Sequence, residues 1–270
     1  MLLHITALSK DFKEGGTRIF PLEYAHQCLV GYNTKTVTTA GYQEMVGASF
    51  NSVGAEALNI QDITLVNDAA AGGSWIKWWD PATKTYSPKA VYVSNFTDPE
   101  DEDKELAYGG WADDDWYEIS KTFAPGEGFW FSPAKNSVGI TTAGAVEKTA
   151  NQYVGRTVAV AGQQIMVLNA FPTALDIQSI VLDNDAAAGG SWIKWWDSAT
   201  KKYSPKVVYV SNFTDPEDED KELAYGGWAD DDWYETSKTF AVGDGFWFSP
   251  AKNNVTICFP NPFYVAPVAP

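Results

Sequence analysis

Clustered carboxylates and tryptophans are the residues of this chain richest in chemistry. Asp98, Glu100, Asp101 and Asp103 stand within one eight-residue run, and Asp113, Asp114 and Asp115 follow between Trp111 and Trp116. The pattern returns as Asp215, Glu217, Asp218 and Asp220, then Asp230, Asp231 and Asp232 between Trp228 and Trp233. Hard cations such as calcium take about six to eight oxygen ligands, and loop carboxylates can supply them. These acids are therefore candidate calcium ligands, with a solvated, solubilising loop as the plain alternative. Their spacing is not that of an EF-hand loop. Paired carboxylates also hydrolyse glycosides, but that needs a cleft and one acid of raised pKa, and neither is legible here.

The tryptophans offer binding rather than bond-making. In an extended Trp75–Asp80, Trp75 and Trp79 share one face and Trp78 takes the other. One face reads as core, and the other as a sugar-stacking platform or a protein contact. Trp78, Trp111 and Trp116, with Trp195, Trp228 and Trp233, are the candidate sugar-stacking residues, against core packing as the competing role. A nucleophile–base set is hard to assemble, because the only histidines are His4 and His26, both near the N-terminus. The run Gly126-Glu127-Gly128-Phe129-Trp130-Phe131, repeated at Gly243–Phe248, reads as a tight turn launching an aromatic strand. It lacks the Lys-Ser/Thr pair and following helix of a phosphate loop.

What must position these residues is a tandem repeat. Asn67–Lys135 returns as Asn184–Lys252, offset by 117 positions, with six differences: Pro81/Ser198, Thr85/Lys202, Ala90/Val207, Ile119/Thr236, Pro125/Val242 and Glu127/Asp244. All 12 tryptophans lie in these copies. Two units follow, 30–146 and 147–260, each large enough to bury a core. An extended N-terminal arm, 1–29, precedes them and a Pro-rich tail, 261–270, ends the chain. Hydrophobic residues make up 45% of the 270 and aromatic residues 14%, which excludes a disordered chain.

The elements are strands. Asn33–Thr39 and Gln43–Phe50 read as a hairpin about Ala40-Gly41-Tyr42, and Tyr153–Ala161 with Gln163–Phe171 as its counterpart. Trp75–Asp80, Tyr86–Ser94, Phe129–Phe131, Val138–Thr142 and Val255–Pro260 read as further strands, and Gly109–Asp115 as an acidic loop. Short strands with frequent turn signals and no sustained helical period predict an all-β chain of two similar tandem β-sandwich or β-barrel domains. The near identity of the copies predicts close superposition, except at a four-residue length difference before Leu58.

A net charge of −16 opposes nucleic-acid binding, and no apolar run is long enough to span a membrane as a helix. No secretion signal is legible in the first residues. The two cysteines, Cys28 and Cys258, read as buried thiols or as one disulfide, within the chain or between neighbouring copies.

Val30-Gly31-Tyr32, Ala40-Gly41-Tyr42 leading into Met45-Val46, the Gly-x-Gly-Phe-Trp-Phe run and the closing Ala143-Gly144-Ala145-Val146 resemble a family of secreted bacterial proteins built from two such units. The likeness spans about Val30–Phe263, and unit two matches it at Ala161-Gly162, Met166-Val167 and Gly243–Phe248. It implies an exported surface or matrix protein with no enzymatic activity and no cofactor, calcium aside. The first 27 residues depart from the family where its signal peptide would stand. The expectation is a structural or cell-surface protein whose partner is itself, forming filaments or a layer through its terminal segments, Ile19–Leu29 and Phe263–Pro270. The alternative is a carbohydrate-binding or adhesive module with glycans as partners.

Overall fold

The structure, a computed structural model, describes residues 28–41, 43–47, 58–69, 72–93, 110–124, 126–147, 152–168, 171, 173–186, 189–197, 199–210, 227–262 and 264. The expected arm up to residue 27, the acidic runs 98–105 and 215–222, and most of the tail lie outside these residues.

The chain is all-β, in two units of the same design. Unit one holds β1 (Cys28–Val37), β2 (Glu44–Gly47), β3 (Leu58–Asn59), β4 (Thr64–Val66), β5 (Trp75–Asp80), β6 (Thr85–Tyr86), β7 (Ala90–Val93), β8 (Gly110–Ala112), β9 (Thr122–Phe123), β10 (Gly128–Ser132) and β11 (Val138–Glu147). Unit two repeats them as β12 (Tyr153–Val158), β13 (Ile165–Leu168), β14 (Leu175–Asp176), β15 (Val181–Asp183), β16 (Trp192–Asp197), β17 (Lys202–Tyr203), β18 (Val207–Val210), β19 (Gly227–Ala229), β20 (Thr239–Phe240), β21 (Gly245–Ser249) and β22 (Val255–Pro260). In each, a three-stranded sheet, ordered β1-β11-β4 or β12-β22-β15, faces a six-stranded one, ordered β2-β10-β5-β7-β8 with β6 on β5, or its counterpart. The core lies between the layers. In unit one, Val37, Val138 and Ile140 meet Val46, Ile76, Phe129 and Phe131.

The expected hairpins are not hairpins. β1 pairs with β11 and β2 with β10, so the two strands lie in different sheets. The turn between them rides on the turn joining β10 to β11. Gly41 N donates to Pro133 O (2.8 Å) and Ala40 N to Asn136 Oδ1 (2.8 Å), matched by Gly162 N to Pro250 O and Ala161 N to Asn253 Oδ1. Val37 and Val46 both face the core. Turning the corner between sheets lets them meet across it, which a flat two-stranded pairing would not. Unit one also begins inside the expected arm, since Cys28 already pairs with Glu147. Unit two's ladder stops sooner, at Tyr153↔Pro260. Pro260 replaces Ala143 of unit one, and it has no N–H to give a neighbouring strand.

Two more readings need correction. Gly110–Ala112 is not loop but a fully buried strand against β7, so the acidic turn begins at Asp113. The returning strand after Trp75–Asp80 splits into β6 and β7 around Pro88. There the Ser87 hydroxyl accepts from Trp78 N (3.0 Å) and donates to Pro88 O (2.7 Å).

Candidate functional site

Asp113, in the acidic turn, spends its carboxylate on its own loop. Its Oδ1 accepts from Asp115 N (3.0 Å) and Tyr117 N (2.9 Å), and Asp230 does the same for Asp232 and Tyr234. Asp114, Asp115, Asp231 and Asp232 are exposed. Among the described residues no three His, Cys, Asp or Glu are grouped to hold a metal ion. Asp98, Glu100, Asp101, Asp103, Asp215, Glu217, Asp218 and Asp220 lie outside those residues.

Trp111 and Trp228 are fully buried, with no face for a sugar. Each Nε1 donates into the core, to Ile63 O and Ile180 O (2.8 Å each). Gln61 clasps the backbone beside Trp111: its Nε2 donates to Trp111 O and Ile119 O, and its Oε1 accepts from Trp111 N, all at 2.8 Å. Trp78 and Trp195 also turn inward, packed edge-on against Phe123 and Phe240. Of the six candidate platforms only Trp116 (42% exposed) and Trp233 (43%) stand out in solvent, beside Tyr117 and Tyr234. Both adopt left-handed backbone, φ 69° and 67°, at a turn position where glycine is the usual occupant.

The alternation that turns Ile76, Trp78, Phe129 and Phe131 inward turns Lys77, Trp79 and Trp130 outward. The register sets Trp130 beside Met45 on one side and Lys77 on the other, which makes an apolar stripe on the outer face of the six-stranded sheet. Unit two carries the same stripe, and the two stripes meet. Met45, Trp130, Met166 and Trp247 form one buried cluster, none more than 4% exposed, with Trp79, Trp192 and Trp196 packed on it. The contact is a pseudo-twofold: Trp130 meets Trp196 at 5.7 Å and Trp247 meets Trp79 at 5.5 Å, both edge to face. Trp130 Nε1 donates to Tyr86 Oη (3.1 Å) and Trp247 Nε1 to Tyr203 Oη (3.2 Å), and the two phenols lie near each other at the seam. Burial raises the pKa of both, Tyr203 to about 12.

The backbones also approach closely. Val46 bridges Asp244 and Val167 bridges Glu127. A Cβ on Gly128 would meet Met166 Cβ at 3.4 Å, and one on Gly245 would meet Met45 Cβ at 3.2 Å. The two glycines of the motif thus do separate jobs. Gly126 takes φ 74° for the turn, while Gly128 leaves room for the other unit. Arg156 donates to Gly126 O (3.0 Å) across the seam and to Met166 O (2.9 Å) within its own unit. Its burial lowers its pKa, and Glu127 opposes that. Trp79 Nε1 donates to Gln164 O (2.9 Å) and Gln163 Nε2 to Pro81 O (3.3 Å).

The protein contact offered for one face of Trp75–Asp80 falls at Trp79, whereas Met45 and Trp130 have no such assignment in the sequence, though a signal for them exists. Met45, Trp79 and Trp130 fall out of phase with the core on three neighbouring strands, and an outward apolar stripe needs a cover. Of the disulfide candidates, Cys258 is a free, half-buried thiol whose pKa burial pushes up. The side chain of Cys28 lies outside the described residues. Along one side of the seam a groove of about 550 Å³ opens between Tyr86 and Trp130 of unit one and Trp196 and Tyr203 of unit two. No known family, curated protein or solved structure matches the chain.

Proposed function

We propose that this is a non-enzymatic, exported structural protein whose units recognise one another and so assemble copies into larger bodies. The observation that carries the reading is the self-complementary stripe of Met45, Trp79 and Trp130, which meets its own repeat in Met166, Trp196 and Trp247. Like surfaces that fit each other within a chain also fit between chains. Unit one of one copy can take unit two of the next, and such exchange builds open filaments when it does not close on itself. The motif behind the resemblance to secreted bacterial proteins, Gly-x-Gly-Phe-Trp-Phe, holds Gly128 and Trp130 of this contact. The terminal segments would add strands to free sheet edges, of which β4, with Val66 57% exposed, is one among the described residues. Negative-stain microscopy of the concentrated protein, with and without calcium and reductant, tests this. Regular filaments are expected, and their loss on reduction alone would assign the link to Cys28 and Cys258. Uniform single particles in every condition would overturn the reading.

A second reading, an adhesive module, draws on the exposed Trp116–Tyr117 and Trp233–Tyr234 turns. Their left-handed tryptophans are a strained feature kept in both units. A glycan array tests it: binding lost on Trp116→Ala with Trp233→Ala supports adhesion, and no binding to any glycan contradicts it.

A further inference from the structure

The seam groove has a composition unlike the rest of the chain. The whole sequence is strongly acidic, yet the described residues lining the groove include Lys77 and Lys201 and no carboxylate. Its walls are aromatic, with Trp196 half-buried and Tyr86 and Tyr203 each 38% exposed. Lys77 Nζ stands 4.6 Å over the Tyr86 ring, and among the described residues no carboxylate pairs with it. On the pseudo-symmetric side of the seam the Gln163 amide donates to Pro81 O (3.3 Å) and ties the two units together.

From these features we propose that the groove is a binding site for an acidic saccharide, a chain of uronic acid units. Aromatic rings stack on the apolar faces of sugars, and phenol and lysine donors meet hydroxyls and carboxylates. The volume is within the range of ligand sites, and the groove is an open trough, which suits a chain that runs through it. Both units supply walls, so the site exists only while they are docked, and ligand binding strengthens the docking by linkage. This inference does not rest on assembly between copies.

The test is intrinsic tryptophan fluorescence of the full chain titrated with a galacturonic acid tetramer, beside a neutral glucose tetramer. The acidic tetramer is expected to bind and the neutral one not to. Lys77→Gln with Lys201→Gln should weaken binding about tenfold. Lys84→Gln with Lys252→Gln, neither of which lines the groove, should leave it unchanged. Near-ultraviolet circular dichroism checks that each variant stays folded and docked. Equal binding of both tetramers, no response to either at millimolar concentration, or equal losses in both double variants would overturn the proposal.

Discussion

Thr236 shows how one substitution between near-identical copies exposes its own cost. Its hydroxyl is buried with no hydrogen-bond partner, where unit one has Ile119 packed against the core. A buried hydroxyl without a partner forfeits its hydration. Thr236→Ile is expected to stabilise unit two by about 1–2 kcal/mol, read as a rise in the urea midpoint of that unit's transition. Tyr203 carries a second residue-scale prediction. Burial raises its folded pKa to about 12, above the usual value of about 10 in an unfolded chain. The folded state therefore holds the proton more tightly. That contribution is fully present below about pH 10 and is lost as pH rises through the folded value. Docking should be insensitive to pH up to about 10 and weaken above it, together with tyrosinate absorbance. Tyr203→Phe should lessen that alkaline loss.

Between elements, side-chain clasps hold together strands too short to stand alone. Gln61 makes three hydrogen bonds from the single 3-10 turn after β3 to the backbone of β8 and Ile119. Gln178 makes the same set in unit two. Gln61→Leu removes the partner of Trp111 N and one bond to each of Trp111 O, which keeps Ile119 N, and Ile119 O, and should destabilise unit one by about 2–3 kcal/mol in a denaturant titration while sparing unit two. This is also where the sequence was least readable. Trp75–Asp80, Pro81–Lys84 and Val255–Pro260 were legible because local alternation and turn chemistry decide them. The swap of β1 and β2 into different sheets was not, because their partners, Val138–Glu147 and Gly128–Ser132, lie far along the chain. Gly110–Ala112 read as loop because glycines and aspartates surround it, and only its pairing with β7 makes it a strand. At the candidate site, Trp111 looked like a platform because it neighbours acids in sequence, whereas its indole fills the core. Of the seam, only the Trp79 face was legible, as one of two readings of an outer strand face, because the partners of Met45 and Trp130 lie in the other unit.

For the whole molecule, the seam between units is the feature that gives a tandem copy a consequence beyond duplication. Gly245→Val would drive a side chain against Met45 and should loosen docking by about 1–3 kcal/mol, seen as a red shift of tryptophan emission without loss of strand signal. Only residues 148–151 separate the described parts of the two units. A tether that short holds each unit at an effective concentration of roughly millimolar to its mate, so exchange between copies should appear near that concentration. The most direct measurement is energy transfer between donor-labelled and acceptor-labelled full chains, mixed across that range and then diluted. The account predicts transfer that grows with the mixing concentration, persists on dilution and falls with Gly245→Val. No transfer at any concentration, with every chain monomeric, would contradict it.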